Sequence, residues 1–171
     1  MKQKEGQNVV LIGMPGAGKS TIGVILAKQS AHNFVDMDVL IQLEEGRTLQ
    51  EILDTEGHLG FQKIEERVLL SHHYSKHIIA TGGSAVYSEA AMQHLKSNGI
   101  AVFLQVALDE LLRRLTNLES RGVAVAPGQT FPELYDQRQV LYRKYADVTI
   151  DCAHLSQLDI STLICDQLNL R

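Results

Sequence analysis

Apolar residues in this chain come in two patterns that alternate along its length. Short unbroken runs, Val9-Val10-Leu11-Ile12, Ile78-Ile79-Ala80, residues 100–106 and Val148-Thr149-Ile150, have the length and β-branched character of buried strands. Residues 33–36 read as one more short strand. Between these runs the apolar positions recur at helical spacing. Ile22, Ile25 and Leu26 mark a helix over about 19–30. Phe61, Ile64, Val68 and Leu69 form an apolar stripe on a helix reaching about residue 74, with Glu65, Glu66 and Arg67 expected on or near its polar side. Further helices are expected over about 39–45, 88–97, 109–118, 130–145 and 155–168. Thr48 with Glu51, and Thr130 with Glu133, have the spacing of capping boxes; Gly57 closes the turn that the first one opens, and Ser88 caps its own helix.

Strands alternating with helices imply an α/β fold whose parallel sheet is covered on both faces. Right-handed crossovers then bring the carboxyl ends of all strands to one edge, where ligands gather. Residues 119–130 break the alternation. They contain Gly122, Pro127 and Gly128, lack helical periodicity, and are expected to form a mobile surface lid.

With 171 residues the chain fits a single domain, and its apolar and charged fractions are those of a globular protein. Sixteen basic and twenty acidic residues leave a net charge of −4, which speaks against non-specific nucleic-acid binding. Cys152 and Cys165 lie far apart without metal-type spacing and read as reduced thiols. No apolar run approaches membrane-spanning length and the amino-terminal residues are polar, so a cytoplasmic protein is the expectation, with a monomer as the default.

One stretch changes the picture most. The first strand runs directly into Gly13-Met14-Pro15-Gly16-Ala17-Gly18-Lys19-Ser20, which matches the phosphate-loop pattern without a mismatch. Glycines let backbone N–H groups crowd around an anion, and the following helix adds its partly positive amino terminus. Gly13, Gly16, Ala17, Gly18, Lys19, Ser20 and Thr21 are therefore the candidate nucleotide cradle, with Lys19 reaching the β- and γ-phosphates and Ser20 placed to ligate Mg²⁺.

Phosphoryl transfer also needs a metal-water anchor, an oriented acceptor and cations. Asp36 and Asp38 follow the second strand at a spacing of two and are candidates for the first two tasks, although Asp38 also sits where it would cap the helix beyond it. Together with the phosphate loop and the Gly82-Gly83 pair they should line one crevice. Arg121, within the lid, is placed to close over nucleotide. Arg138 either clamps an anionic acceptor or pairs with a neighbour such as Asp136 on its own surface. His72, His73 and His77 straddle a helix end and a strand start, which favours solvated or capping roles over metal binding.

The ordered series of motifs resembles the shikimate kinases. It comprises Gly13 to Ser20, Phe34-x-Asp36-x-Asp38, Gly57 with Phe61 and Glu65, Thr81-Gly82-Gly83, Arg114 and Arg121, and Arg138-x-x-x-Tyr142 with Ala146-Asp147. The resemblance runs nearly end to end and implies a three-layer phosphate-loop kinase fold with a five-stranded parallel sheet in the order 2-3-1-4-5. It further implies one domain spanning the chain, with an acceptor-binding helical segment at about 39–75. MgATP would be the donor and a small-molecule hydroxyl the acceptor. Lys19, Asp38 and Arg121 would be catalytic, Ser20 and Asp36 would serve the metal, and Arg114 would stack near adenine. The acceptor would meet Asp38, residue 62, Gly82, Gly83, residue 84 and Arg138.

Three departures fall on the acceptor and lid side. Gln62 stands where the family has an arginine, Ser84 replaces the third glycine, and Arg121 precedes Gly122-Val123-Ala124 in place of proline and two leucines. A lost arginine–carboxylate contact is worth about 1.5–3 kcal/mol, so shikimate binding should weaken by roughly one to two powers of ten. Ser84 is expected to intrude on the acceptor pocket or add a hydrogen bond there. Two other readings stand beside the kinase: an ATP-binding sensor with weak or no catalysis, and a gluconate- or nucleotide-type kinase.

Overall fold

The computed structural model describes residues 6–115 and 122–170. Five strands, β1 (Asn8–Ile12), β2 (Asn33–Asp36), β3 (His77–Ala80), β4 (Gly99–Gln105) and β5 (Val148–Asp151), form one sheet in the order β2-β3-β1-β4-β5. Every pairing is parallel. β1 is buried along its whole length because it lies at the centre with helices on both faces, which explains its uninterrupted apolar run.

The helices are α1 (Lys19–Ser30), α2 (Met37–Glu45), α3 (Leu49–Ser71), α4 (Glu89–Ser97), α5 (Leu108–Arg114), α6 (Phe131–Tyr145) and α7 (Gln157–Leu168), with a 3₁₀ turn at Ala85–Tyr87. None of the described helices is long and apolar enough to cross a membrane. The Thr48–Glu51 and Thr130–Glu133 capping boxes both form, and a third, Ser156–Asp159, opens α7. Gly57 does interrupt α3, at φ 69° and ψ 177°, and the helix resumes beyond it. Such a φ is costly for any residue with a Cβ.

Register brings the strand ends level. Ala80 at the end of β3 faces Leu11 on one side and Asp36 on the other. The loops after β1, β2 and β3 therefore open onto the same edge, which groups the phosphate loop, Asp36/Asp38 and Gly82/Gly83 as expected.

Candidate active site

The loop after β1 owes its shape to three glycines. Gly13, Gly16 and Gly18 take φ of 148°, 82° and 97°. A Cβ on Gly13 would lie 2.9 Å from the Leu104 carbonyl oxygen of β4, so a larger residue there would push the loop off the sheet. Gly18 begins α1 without a side-chain cap, and the first turn holds no acidic residue. The leading N–H groups of a helix have no intrahelical partner, so this end keeps its positive potential for an anion. A cleft of about 580 Å³ opens over it, lined by the loop, Thr21, Asp38, Thr81, Arg114 and, from the start of α7, Gln157. Nothing in the sequence pattern singled out Gln157.

Lys19 is buried in this cleft, its Nζ donating to the carbonyls of Gly13 at 2.8 Å and Met14 at 2.9 Å. Burial lowers its pKa to about 8 despite the opposing pull of Asp38. Arg114 sits at the cleft rim with its Nε donating to Glu110 at 2.9 Å and its Nη1 to the Gly16 carbonyl at 3.3 Å. Cradle and rim thus fit a nucleotide polyphosphate in shape and charge.

Asp36 has two employments. Its Oδ1 accepts from the backbone N–H of Asp38 at 3.0 Å and of Val39 at 3.3 Å, capping α2, and its Oδ2 receives the Ser20 hydroxyl. The cap expected of Asp38 is therefore made two residues earlier, and the Asp38 carboxyl is left to the site. Burial raises the pKa of Asp38 to about 6, with Lys19 opposing. The paired Ser20 hydroxyl and Asp36 carboxylate are hard oxygen donors of the type Mg²⁺ takes, with water and phosphate completing its shell.

Next to the cleft lies a smaller pocket of about 50 Å³, walled by Pro15, Lys19, Asp38, Phe61, Gly82, Gly83, Ser84, Arg138 and residues 122–124. Lys19 and Asp38 line both cavities. Gly83 is open because a Cβ there would lie 2.8 Å from Arg138 Nη1 and 2.9 Å from Pro15 Cδ. Gly82 is open for a similar reason: a Cβ would collide with Glu65 Oε1 and lie 2.8 Å from Asp38 Oδ1.

Arg138 is 1% exposed and does not reach Asp136. Its Nη2 donates to the Ala124 carbonyl at 2.6 Å, its Nε to the Tyr87 hydroxyl at 3.4 Å, and its guanidinium carbon lies 5.4 Å from the Tyr87 ring centre. Among the described residues it makes no ion pair with a carboxylate. A buried guanidinium satisfied only by neutral oxygens is poised for an anion. Tyr142 stiffens this wall, donating to the Gly83 carbonyl at 2.7 Å.

Glu65 overturns its sequence assignment. It is 1% exposed and packs against Gly82 and Ser84, not on the polar side of α3. Its spacing showed as much, since it lies four residues after Phe61 and three before Val68, both of the apolar stripe. Burial raises its pKa to about 7, Ser84 and Arg138 pulling the other way. Ser84 donates its hydroxyl to Glu65 Oε2, so its side chain is turned to α3 and does not fill the pocket. Gln62 lines a neighbouring cavity of about 240 Å³ with Leu59, Lys63, Glu65 and Tyr87, which meets the pocket at Ser84.

Arg121 and the start of the expected lid lie outside the described residues. The histidines take structural roles. His72 ends α3 and approaches Glu44 at 3.2 Å, and His73 meets His94 edge-on at 4.7 Å. No group of three or more metal-binding side chains forms among the described residues.

The chain is similar to known proteins. The family model for shikimate kinase matches residues 15–169. The shikimate kinase of Thiobacillus denitrificans is 36% identical over 166 residues, covering 95% of this chain and 91% of that protein. That of Pasteurella multocida is 35% identical, covering 95% of each. The structure of shikimate kinase from Acinetobacter baumannii in complex with shikimate superposes with a TM-score of 0.85 at 31% identity, covering 94% of this chain and 92% of that one. A sugar kinase from Janibacter, at 12% identity and a TM-score of 0.60, shares the fold alone. The chain belongs to the shikimate kinase family and is an ATP- and Mg²⁺-dependent phosphotransferase that acts on a hydroxyl group.

Proposed function

We propose that the acceptor is a small hydroxylated carboxylic acid of the shikimate class, bound in the pocket between Asp38 and Arg138. The observation that carries this reading is the double placement of Asp38, whose carboxyl borders both the nucleotide cleft and the pocket. A hydroxyl held there faces the end of the triphosphate, and a base beside it can take its proton as the phosphoryl group moves. Arg138 would hold the carboxylate in place of the Ala124 carbonyl it now meets. Gly13, Gly16, Ala17, Gly18 and Thr21 would cradle the phosphates, Lys19 would neutralise charge on the transferring group, and Arg114 would border the base. Ser20 and Asp36 would hold Mg²⁺, which supplies charge neutralisation to the phosphates when bound. Arg121 would add a further cation, and Gly82 and Gly83 would let the acceptor approach the backbone. We read residues 1–171 as one kinase domain with an acceptor-binding segment at about 39–75 and a lid at about 119–130. The protein would work as a monomer in a reducing, cytoplasmic setting, where the buried Cys152 and Cys165 would stay as thiols.

Gln62 sets the expected weakness. Phosphate transfer from MgATP should be measured on shikimate and on uncharged polyols. Shikimate should be turned over with a high KM and the polyols more slowly still, and Gln62→Arg should lower the shikimate KM roughly ten- to a hundredfold. Tight shikimate binding by the wild type with no gain in the variant would contradict the reading.

A further inference from the structure

Tyr87 holds Arg138 from behind. It ends the 3₁₀ turn that follows Ser84, and no motif in the sequence singled it out. Its hydroxyl accepts from Arg138 Nε at 3.4 Å, a long contact, and the guanidinium carbon lies 5.4 Å from its ring centre, within reach of a cation–π attraction. A phenol has one proton to give, and this one goes to Gln137 Oε1 at 2.7 Å. The oxygen lone pairs are thereby left for the guanidinium. Gln137 Oε1 also accepts from Gln129 Nε2 at 3.1 Å, so the group that orients the phenol is itself tied to the segment read as the lid.

Tyr87 lines the 240 Å³ cavity beside Gln62, whereas Arg138 lines the acceptor pocket. The guanidinium is thus divided between two sides. Nε is engaged by Tyr87, Nη1 lies against Gly83 in the pocket wall, and Nη2 meets the Ala124 carbonyl that a carboxylate would replace. Nη1 and Nη2 form a planar fork that can meet a carboxylate with two parallel bonds, provided its plane is held. A fork free to turn would give up that freedom when the acceptor arrives and bind it more weakly. Gln62 brings no second cation, so the carboxylate depends on this one fork.

Resting on the hydroxy-acid reading above and adding to it, we infer that Tyr87 is a positioning residue for the acceptor: by holding Nε and one face of the Arg138 guanidinium, it presents Nη1 and Nη2 to the acceptor's carboxylate. It acts through Arg138 and does not touch the reacting atoms. Its effect therefore falls on acceptor affinity, and neither on phosphoryl transfer nor on the nucleotide.

The experiment is a steady-state assay of the full chain with shikimate and MgATP. Tyr87→Phe keeps the ring, removes the acceptor for Nε, and threatens folding little at a half-buried position. It should raise the shikimate KM roughly three- to tenfold, with kcat and the MgATP KM changed less than about twofold. Tyr87→Leu also removes the ring face and should raise the shikimate KM by roughly ten- to fiftyfold. Arg138→Lys replaces the fork with a single ammonium. It should raise the shikimate KM by itself, and adding Tyr87→Phe to it should then cost less than about twofold more. An unchanged shikimate KM in both Tyr87 variants would overturn the inference and leave the hydroxy-acid reading standing. So would a rise matched by the MgATP KM or by a fall in kcat, or an undiminished effect of Tyr87→Phe beside Lys at position 138. An Arg138→Lys enzyme that binds shikimate as tightly as the wild type would overturn both.

Discussion

The two halves of the active site are built by opposite methods. The nucleotide half is a continuous run of chain, with Gly13 to Ser20 supplying backbone N–H groups, an uncapped helix end and one lysine. The acceptor half gathers single side chains from α2, α3, the loop after β3 and α6, and much of its chemistry rests on buried charges. α2, α3, α4, α6 and α7 each begin with a side chain that accepts from the first turn, whereas α1 and the short α5 do not. The lesson is one of tolerance. A backbone cradle constrains its glycines but tells nothing of the acceptor, while a pocket of isolated side chains can change specificity one residue at a time, with Gln62 and Ser84 as candidate positions.

Substitutions in the two halves should separate accordingly. Lys19→Ala removes the cation proposed for the transferring group and should lower kcat by roughly 10³–10⁵-fold for every acceptor. A steady-state assay with several acceptors checks this, and a loss confined to one acceptor would blur the division between halves. On the acceptor side, Asp38→Asn should reduce turnover by roughly 10²–10⁴-fold with nucleotide affinity retained in calorimetry. The pH profile of kcat/KM should then be informative. In the proposed mechanism Asp38 acts ionised, giving a limb near its pKa of about 6, and Lys19 protonated, giving a limb near about 8. A bell between these values is expected for the wild type, and Asp38→Asn should lack the acid limb.

The smallest effect is on stability. Glu65 has a folded-state pKa raised to about 7 from an ordinary 4.5, so folding favours its protonated form. That contribution is complete below pH 4.5 and disappears as pH rises through 7. Without ligands, Glu65→Gln should therefore gain on the wild type by up to ~3 kcal/mol between pH 4.5 and 8 in denaturant titrations. A constant difference across that range would show that the Glu65 carboxyl carries no buried charge.

The same contrast decides what could be read from the sequence. The alternation of buried runs and helical stripes sufficed for the α/β class and for the grouping of three loops at one edge. The strand order came only with the family resemblance, since periodicity says nothing of which strands are neighbours. The phosphate loop was legible because its function is local. Glu65 was misplaced because acidic side chains on helices ordinarily face water, and its position within the apolar stripe was outweighed by its charge. Arg138 was left between an anion clamp and a surface partner of Asp136, because its contacts with Tyr87 and Ala124 join segments far apart in the chain. The cap of α2 fell on Asp36 because that residue, still extended, is the last before the helix, which is the conformation an N-cap adopts.

That carboxylate has a consequence for how the protein can vary. One oxygen of Asp36 fastens the opening turn of α2, and the other clasps the hydroxyl at the head of α1. A single side-chain torsion thus sets the spacing between Ser20, proposed to greet the metal, and Asp38, proposed to orient the alcohol. Evolution can retune the walls around the acceptor freely, but it must keep this hinge-pin if donor and alcohol are to stay in line.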